Sequence, residues 1–596
     1  MKNNFFQFLL ASCLGTLLAA GGIFVLFWII ILSMGGDNKP DISDKSVLKL
    51  DFSNVLPELT NNTPADGFSF ELETDDVVGL RDMTRIIAAA AEDDEIEGIL
   101  IEAGTPTMMP ATSSVLRQAI EDFKASGKFV YAYADNYTQN GYYLSSAADS
   151  VFISPMGSLD FKGLAAQLLY FKNMLDNVGV TMQVVYAGQF KSATEPLRRT
   201  DMSEQNRLQT RAFLEKMYDV LLEDISASRG IAVAELDDLA NNYRVRSADD
   251  AVRYGLADAT LYRDELIDLI KSNAGLDDDD KLRLVDAQTY YETIGSGYKA
   301  KSDGKIAVVY AEGAIVDGEG DIGGIGGENY ARIFRKLRKD EKVDAVVLRV
   351  NSGGGSALAS EIMWRELDLL RQQKPLIVSM GDLAASGGYY IACLGDTILA
   401  EQNTITGSIG VFGVIPVMNE LLTDKMGITV DTVKTGKFAT GLSPFYAMNE
   451  EERAIVQEGV DSIYQLFLRR VAEGRDMSVA DVHEIAQGRV WTGEAATGIG
   501  LVDAIGGLDE AIAMAARRIG IEDYAIAQYP RVKKPIDELI SQLTGAEDEK
   551  PQVSLNVSRL LLKEQLGEFY PIYEQMQRAR DMKGIQMRLP FELTIE

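Results

Sequence analysis

Histidine is nearly absent: the 596-residue chain has one, His483. A Ser-His-Asp hydrolase would have to use it, and a metal site with several imidazole ligands is excluded. It lies in SVADVHEIAQ, an amphipathic helix pattern without a serine motif, and reads as a solvent-facing or cap-side residue. Cysteine is as scarce. Cys13 falls inside an apolar N-terminal run, Cys393 lies far from it, and no CxxC occurs. Disulfides, iron–sulfur clusters and thiolate zinc are therefore excluded. Positive charge is in deficit, with 58 Lys and Arg against 89 Asp and Glu for a net charge of −31. Such a surface repels phosphate backbones, so nucleic acid is not a partner. Hydrolytic chemistry in this chain has to run without histidine and without thiolate, and the sequence implies no cofactor or metal.

Charge is missing altogether between Lys2 and Asp37, across FFQFLLASCLGTLLAAGGIFVLFWIIILSM. This run exceeds the ~20 apolar residues that cross a bilayer. It is also longer than the apolar core of a cleaved signal peptide, about 7–15 residues. It reads as an uncleaved membrane anchor. The weak flanking asymmetry, Lys2 before and Asp37, Lys39, Asp41, Asp44 and Lys45 after, favours the N-terminus inside and the bulk of the chain outside the cytoplasm.

Beyond the anchor the chain is written twice. DNYTQNGYYLSSAAD (135–149) stands over DLAASGGYYIACLGD (382–396), and EIEGILIE (95–102) over KVDAVVLR (342–349), both at an offset of 247. Gly188-Gln189-Phe190 stands over Gly436-Lys437-Phe438, and RVRSADDAVRYGLAD (244–258) over RVWTGEAATGIGLVD (489–503). A near-constant offset over such a distance marks a tandem duplication. Short β-rich runs such as KIAVVYAEGAIV, DAVVLRV and PLIVSM alternate with helical patterns at 328–339 and SEIMWRELDLLRQQ, which predicts α/β units around parallel sheets. The boundaries are an anchor and linker over 1–45, a first repeat over 46–300, a second over 301–528 and a tail over 529–596. PRVKKPIDELISQLTGAEDEKPQ in the tail reads as a loose linker or peripheral helix, and Asp277–Asp280 as a solvated loop.

The copies differ at chemically telling places. Strand PLIVSMGDLAAS ends in Ser386-Gly387-Gly388, where glycines let a carbonyl approach and a following helix N-terminus favours negative charge. The first copy has Gln139 there. Taken alone, Ser386 is equally well placed as a nucleophile or as a helix N-cap. Asn351-Ser352-Gly353-Gly354-Gly355-Ser356, between a strand and a helix, offers consecutive backbone N–H groups for an oxyanion. The first copy's AGTPTMMPA lacks those glycines. After Phe190 stands Lys191, whereas Ala439 follows Phe438. One copy thus keeps a lysine without the serine and the other a serine without the lysine, as one composite site would require. Lys437, two residues before Ala439, is the rival base. Glu195 should point away from Lys191, because a carboxylate there would hold the amine charged.

VLRVNSGGGS, DLAASGGYYIA, ITGSIGVFG and GQFKSATEPLRRTDMS together resemble the long, tandem-repeat form of signal peptide peptidase A, a bacterial membrane-bound Ser/Lys peptidase family. The resemblance covers nearly the whole chain beyond the anchor. It implies an α/β fold of two Clp-protease/crotonase-type repeats after an N-terminal transmembrane helix. It also implies Ser386 as nucleophile, Lys191 as general base and Ser408 of TGSIG as the residue that orients the lysine. The family has Pro-Gly-Gly after Asn-Ser where this chain has Gly353, which leaves open which N–H groups form the oxyanion hole; Gly354 and Gly387 are the first choices. A homotetramer in the bacterial inner membrane, acting on cleaved signal peptides, is further implied. A crotonase-type acyl-CoA enzyme and a catalytically dead membrane scaffold are the competing readings. The first needs a basic CoA site and catalytic carboxylates; the second gives no reason to keep both Ser386 and Lys191. GEGDIG (318–323) matches a nucleotide-loop pattern but lacks its lysine, and reads as a flexible loop.

Overall fold

The computed structural model describes residues 42–53, 55–62, 77–295, 304–531 and 585–589, with the single positions 21 and 302. The anchor run lies outside the described residues apart from Gly21, and so does nearly all of the 530–552 tail segment. Among the described residues no helix is long and apolar enough to cross a membrane.

The duplication is visible as two sheets that share one order of six parallel strands, the second extended by Ile405–Gly407 and the antiparallel Val490–Thr492. In the first copy the order is Ala259–Thr260, Ser150–Leu159, Phe129–Tyr137, Ile96–Glu102, Ser46–Asp51 and Leu284–Asp286. In the second copy Ala504–Ile505, Thr397–Ala400, Leu376–Ala385, Ala345–Ser352, Gly304–Glu312 and Tyr524–Tyr529 repeat it. Central strands of parallel sheets are covered on both faces and so are apolar at successive positions. Val346, Leu348 and Val350 pack with helices Gly327–Lys339 and Ala357–Arg371 on one face. Ala345 and Val347 meet Leu508, Ala511 and Ile512 of helix Leu508–Ile519 on the other. That alternation is the period of two expected of a strand.

A third, mixed sheet joins the copies. Its order is Gly324–Gly326, Ala314–Val316, Gly354–Ser356, Ile585–Arg588, Val411–Val417 and Thr181–Ala187. Thr181–Ala187 of the first copy runs antiparallel to Val411–Val417 of the second, in register from Thr181↔Val417 to Ala187↔Val411. The strand read as PLIVSMGDLAAS spans Leu376–Ala385. Two features depart from the sequence reading. The glycine run contains a short strand, Gly354–Ser356, rather than only a turn. Ile585–Arg588 in the tail is a strand laid between two others, a placement fixed by distant partners and invisible to local patterning.

Candidate active site

Two chain reversals bring the candidate residues together. The first is the end of strand Leu376–Ala385, where Ser386 takes φ 56° and ψ −114° before the short helix Gly387–Ala392. A non-glycine residue there is strained, and such strain persists only where its surroundings enforce it. Ser386 N–H donates to Gly407 O at 2.8 Å and Ser386 O accepts from Tyr390 N–H at 2.8 Å, which pins both sides of the turn. The N-cap alternative fails, because the Ser386 hydroxyl makes no capping bond. Gln139, its counterpart, sits relaxed within helix Gln139–Ser145 and spends its Oε1 on Lys162 and Gly163 N–H.

The second reversal follows strand Thr181–Ala187. Gly188, with φ 112°, turns the chain, and Lys191 emerges four residues beyond the ladder with Val411–Val417. Lys191 is 1% exposed, and its Nζ lies 2.8 Å from Ser386 Oγ, 3.0 Å from Ser408 Oγ and 3.1 Å from Ser408 O. Burial pushes its amine well below the ordinary lysine range, with no opposing charge to raise it. Glu195 is buried nearby but accepts from Ser203 N–H at 3.1 Å and Asn206 Nδ2 at 3.0 Å. Among the described residues no carboxylate is in ion-pair range of Lys191. A neutral amine can accept the Ser386 hydroxyl proton while its own N–H groups donate to Ser408.

Lys437, the rival candidate, lies elsewhere. Its exposed ammonium pairs with Glu451 and lies 5.3 Å from the Phe438 ring, on a surface segment. Gly354, with φ 92°, backs against Gly387: a methyl group on Gly354 would come within 2.5 Å of Gly387 N. Gly354 N–H already donates to Ser352 Oγ at 3.1 Å, whereas Gly387 N–H is a first-turn helix donor without an intrahelical acceptor. Cys393 is buried with its thiol pushed up to about 12, which keeps it protonated and inert. His483 is half-buried, at the last turn of helix Val479–Ile485, with Nδ1 3.0 Å from Tyr464 OH.

The residues missed by sequence reasoning are those that hold the lysine loop. Gln487 O accepts from Phe190 N–H at 2.8 Å, Gly488 N–H donates to Ile409 O at 2.8 Å, and Arg489 O accepts from Ser408 N–H at 2.7 Å. Gln209 Nε2 donates to Phe190 O at 3.1 Å and to Ser192 Oγ at 2.9 Å. Arg489-Val490-Trp491 marks the duplication, and the glycine before it was the available signal.

A strained serine beside a buried amine whose charged form burial disfavours is equipment for nucleophilic acyl transfer without histidine. The model of Peptidase family S49 matches the chain twice, over residues 122–277 and 368–522. Protease 4 of Haemophilus influenzae is 36% identical over 532 residues, covering 85% of each chain. Protease 4 of Salmonella typhi is 32% identical over 552 residues, covering 88% of this chain and 87% of that one. The chloroplastic serine protease SPPA of Arabidopsis thaliana is 33% identical over 481 residues, covering 78% and 70%. The fold and site are those of a serine peptidase. The chain belongs to Peptidase family S49, of the signal peptide peptidase A type.

Proposed function

We propose that this serine peptidase is a membrane-anchored endopeptidase whose dyad is Ser386 and Lys191, one from each copy. The observation that carries the reading is the 2.8 Å approach of Lys191 Nζ to Ser386 Oγ in a pocket where burial alone governs the amine. Ser386 Oγ attacks the substrate carbonyl as its proton passes to neutral Lys191. Gly387 N–H, with the Gly354 turn against it, receives the developing oxyanion. Lys191, held by Ser408, protonates the leaving amine, then takes a proton from the water that hydrolyses the acyl-enzyme.

Apolar peptides, cleaved signal peptides among them, are the substrates this reading assigns. The anchor over 1–45 holds the catalytic repeats, 46–300 and 301–528, at the outer face of the bacterial inner membrane, as a homotetramer. Labelling with a serine-reactive acylating probe and mapping the adduct tests the core of it. The adduct is expected on Ser386, and Ser386→Ala abolishes both labelling and peptide hydrolysis without loss of fold. An adduct on another serine, or more than a few per cent of activity in the variant, overturns the assignment.

A further inference from the structure

Helix Glu204–Arg229 of the first copy touches both halves of the site. Its buried stripe includes Gln209, Phe213, Met217 and Val220, spaced as one helix face requires. Phe213 and Met217 pack with Ala385, the residue before Ser386, and with Ile405 and Val490 of the second copy. That packing seats the helix on the serine's strand. Gln209 is the polar member of the stripe and is 1% exposed. Its Nε2 donates to Phe190 O at 3.1 Å and to Ser192 Oγ at 2.9 Å, the residues on either side of Lys191. Its Oε1 accepts from Val490 N–H at 3.3 Å. Val490 pairs with Gly407, whose carbonyl accepts from Ser386 N–H at 2.8 Å. One side chain thus closes a hydrogen-bonded path from the flanks of Lys191 to the backbone of Ser386. Asn206 steadies the same frame: its Oδ1 accepts from Ser192 Oγ at 3.0 Å while its Nδ2 donates to Glu195 Oε2 at 3.0 Å.

We propose that Gln209 is a positioning residue for the peptidase reaction, the gauge that sets Lys191 Nζ against Ser386 Oγ. The proposal rests on the reading of those two residues as the dyad. The ladder between Thr181–Ala187 and Val411–Val417 ends at Ala187, so no sheet partner holds the backbone at Lys191 itself. Gln209 holds it from the helix instead. A fully satisfied buried network rigidifies what it joins, and deleting its central member leaves the Phe190 carbonyl and Val490 N–H short of a partner. The side-chain type follows from the two demands. A carboxylate of the same shape could accept from Val490 N–H but not donate to Phe190 O, and its charge would favour the ammonium form of Lys191. A lysine could donate but not accept. A neutral carboxamide meets both demands.

The test uses the full chain. Turnover of an apolar peptide is measured against pH, active sites are counted with the serine-reactive probe, and circular dichroism confirms each fold. Gln209→Leu keeps most of the volume and removes the bonds. It should lower kcat per active site about 100-fold, the effect of a misplacement near 1 Å, at nearly unchanged KM. The apparent pKa of the pH–rate curve should move up toward the ordinary lysine value, because a loosened amine regains water. Gln209→Glu keeps the shape and should move it further in the same direction. Ser192→Ala, the mildest lesion of the frame, should lower kcat several-fold with the same sign of change. A merely structural glutamine gives another pattern: fewer active sites or a lower melting temperature, with kcat per site and the pH–rate curve of the wild type. That pattern in the folded Gln209 variants, or in Ser192→Ala if neither folds, overturns the proposal. The dyad is judged on other proteins. A wild-type adduct away from Ser386, or turnover in Lys191→Ala, sinks the dyad, whereas normal wild-type labelling beside unaltered Gln209 variants sinks the gauge alone.

Discussion

Gly488 lies flat against Lys191. A methyl group added to Gly488 would stand 2.6 Å from Lys191 N, 2.7 Å from its Cβ and 2.8 Å from its Cα, and Gly488 itself has φ 79°. The second copy thus moulds the backbone that carries Lys191 of the first. Gly488→Ala is expected to lower kcat about 100-fold, since a misplacement near 1 Å costs that much. Steady-state kinetics checks it, and wild-type kcat in a folded variant would show that the lysine loop is held elsewhere.

Lys191→Ala should abolish acylation, a loss on the order of 10³-fold or more. Lys437→Ala should leave most activity, because an exposed pair such as Lys437–Glu451 carries little energy. Burst-phase labelling of both variants separates them. A dispensable Lys191 would refute the composite site.

The pH–rate curve should rise as Lys191 loses its proton, with an apparent pKa well below the ordinary lysine value of 10.5. Stability follows the same proton. Between the lowered folded pKa and the unfolded value near 10.4 the unfolded chain binds the additional proton, so Lys191's cost to stability shrinks as pH rises through that window. Below the folded pKa the whole cost is present. Lys191→Met is therefore expected to be inactive yet to melt at a higher temperature at neutral or lower pH, with the gap closing as pH rises. A lower melting temperature at neutral pH would mean that the amine is stabilised rather than strained.

Glu58, ahead of the first copy's helices, reaches into the second copy and pairs with Arg349 at 2.9 and 3.0 Å, both groups being only 2–3% exposed. Glu58→Ala leaves a buried guanidinium unpaired and should cost about 3–5 kcal/mol, read from denaturant midpoints. The second copy expressed alone lacks this partner as well as Lys191. It should be both inactive and poorly stable; a robust isolated fragment would argue against the buried pair's importance.

Much of this was legible beforehand, for specific reasons. Aliphatic runs such as DAVVLRV gave the central strands, because strands buried on both faces leave little freedom of composition. Offsets gave the duplication, and the complementary presence of Lys191 and Ser386 gave the pair now found at 2.8 Å. What stayed hidden depends on contacts distant in the chain. Gln487 and Gly488 act through backbone groups that carry no side-chain signature, and the Ile585–Arg588 strand has partners hundreds of residues away. Glu58 is one of many acids in an acidic chain, and nothing local distinguishes the one that finds Arg349.

The ladder between Thr181–Ala187 and Val411–Val417 also sets a timetable. Domains fold as units during synthesis, the N-terminal one first. The emerging first copy carries Lys191 with no Ser386 to meet, and it waits through most of the second copy for that partner. Not until the Gln487–Arg489 segment has been made can the lysine loop be clamped. On the dyad proposed above, a ribosome-bound chain stays proteolytically silent until almost all of both copies exist.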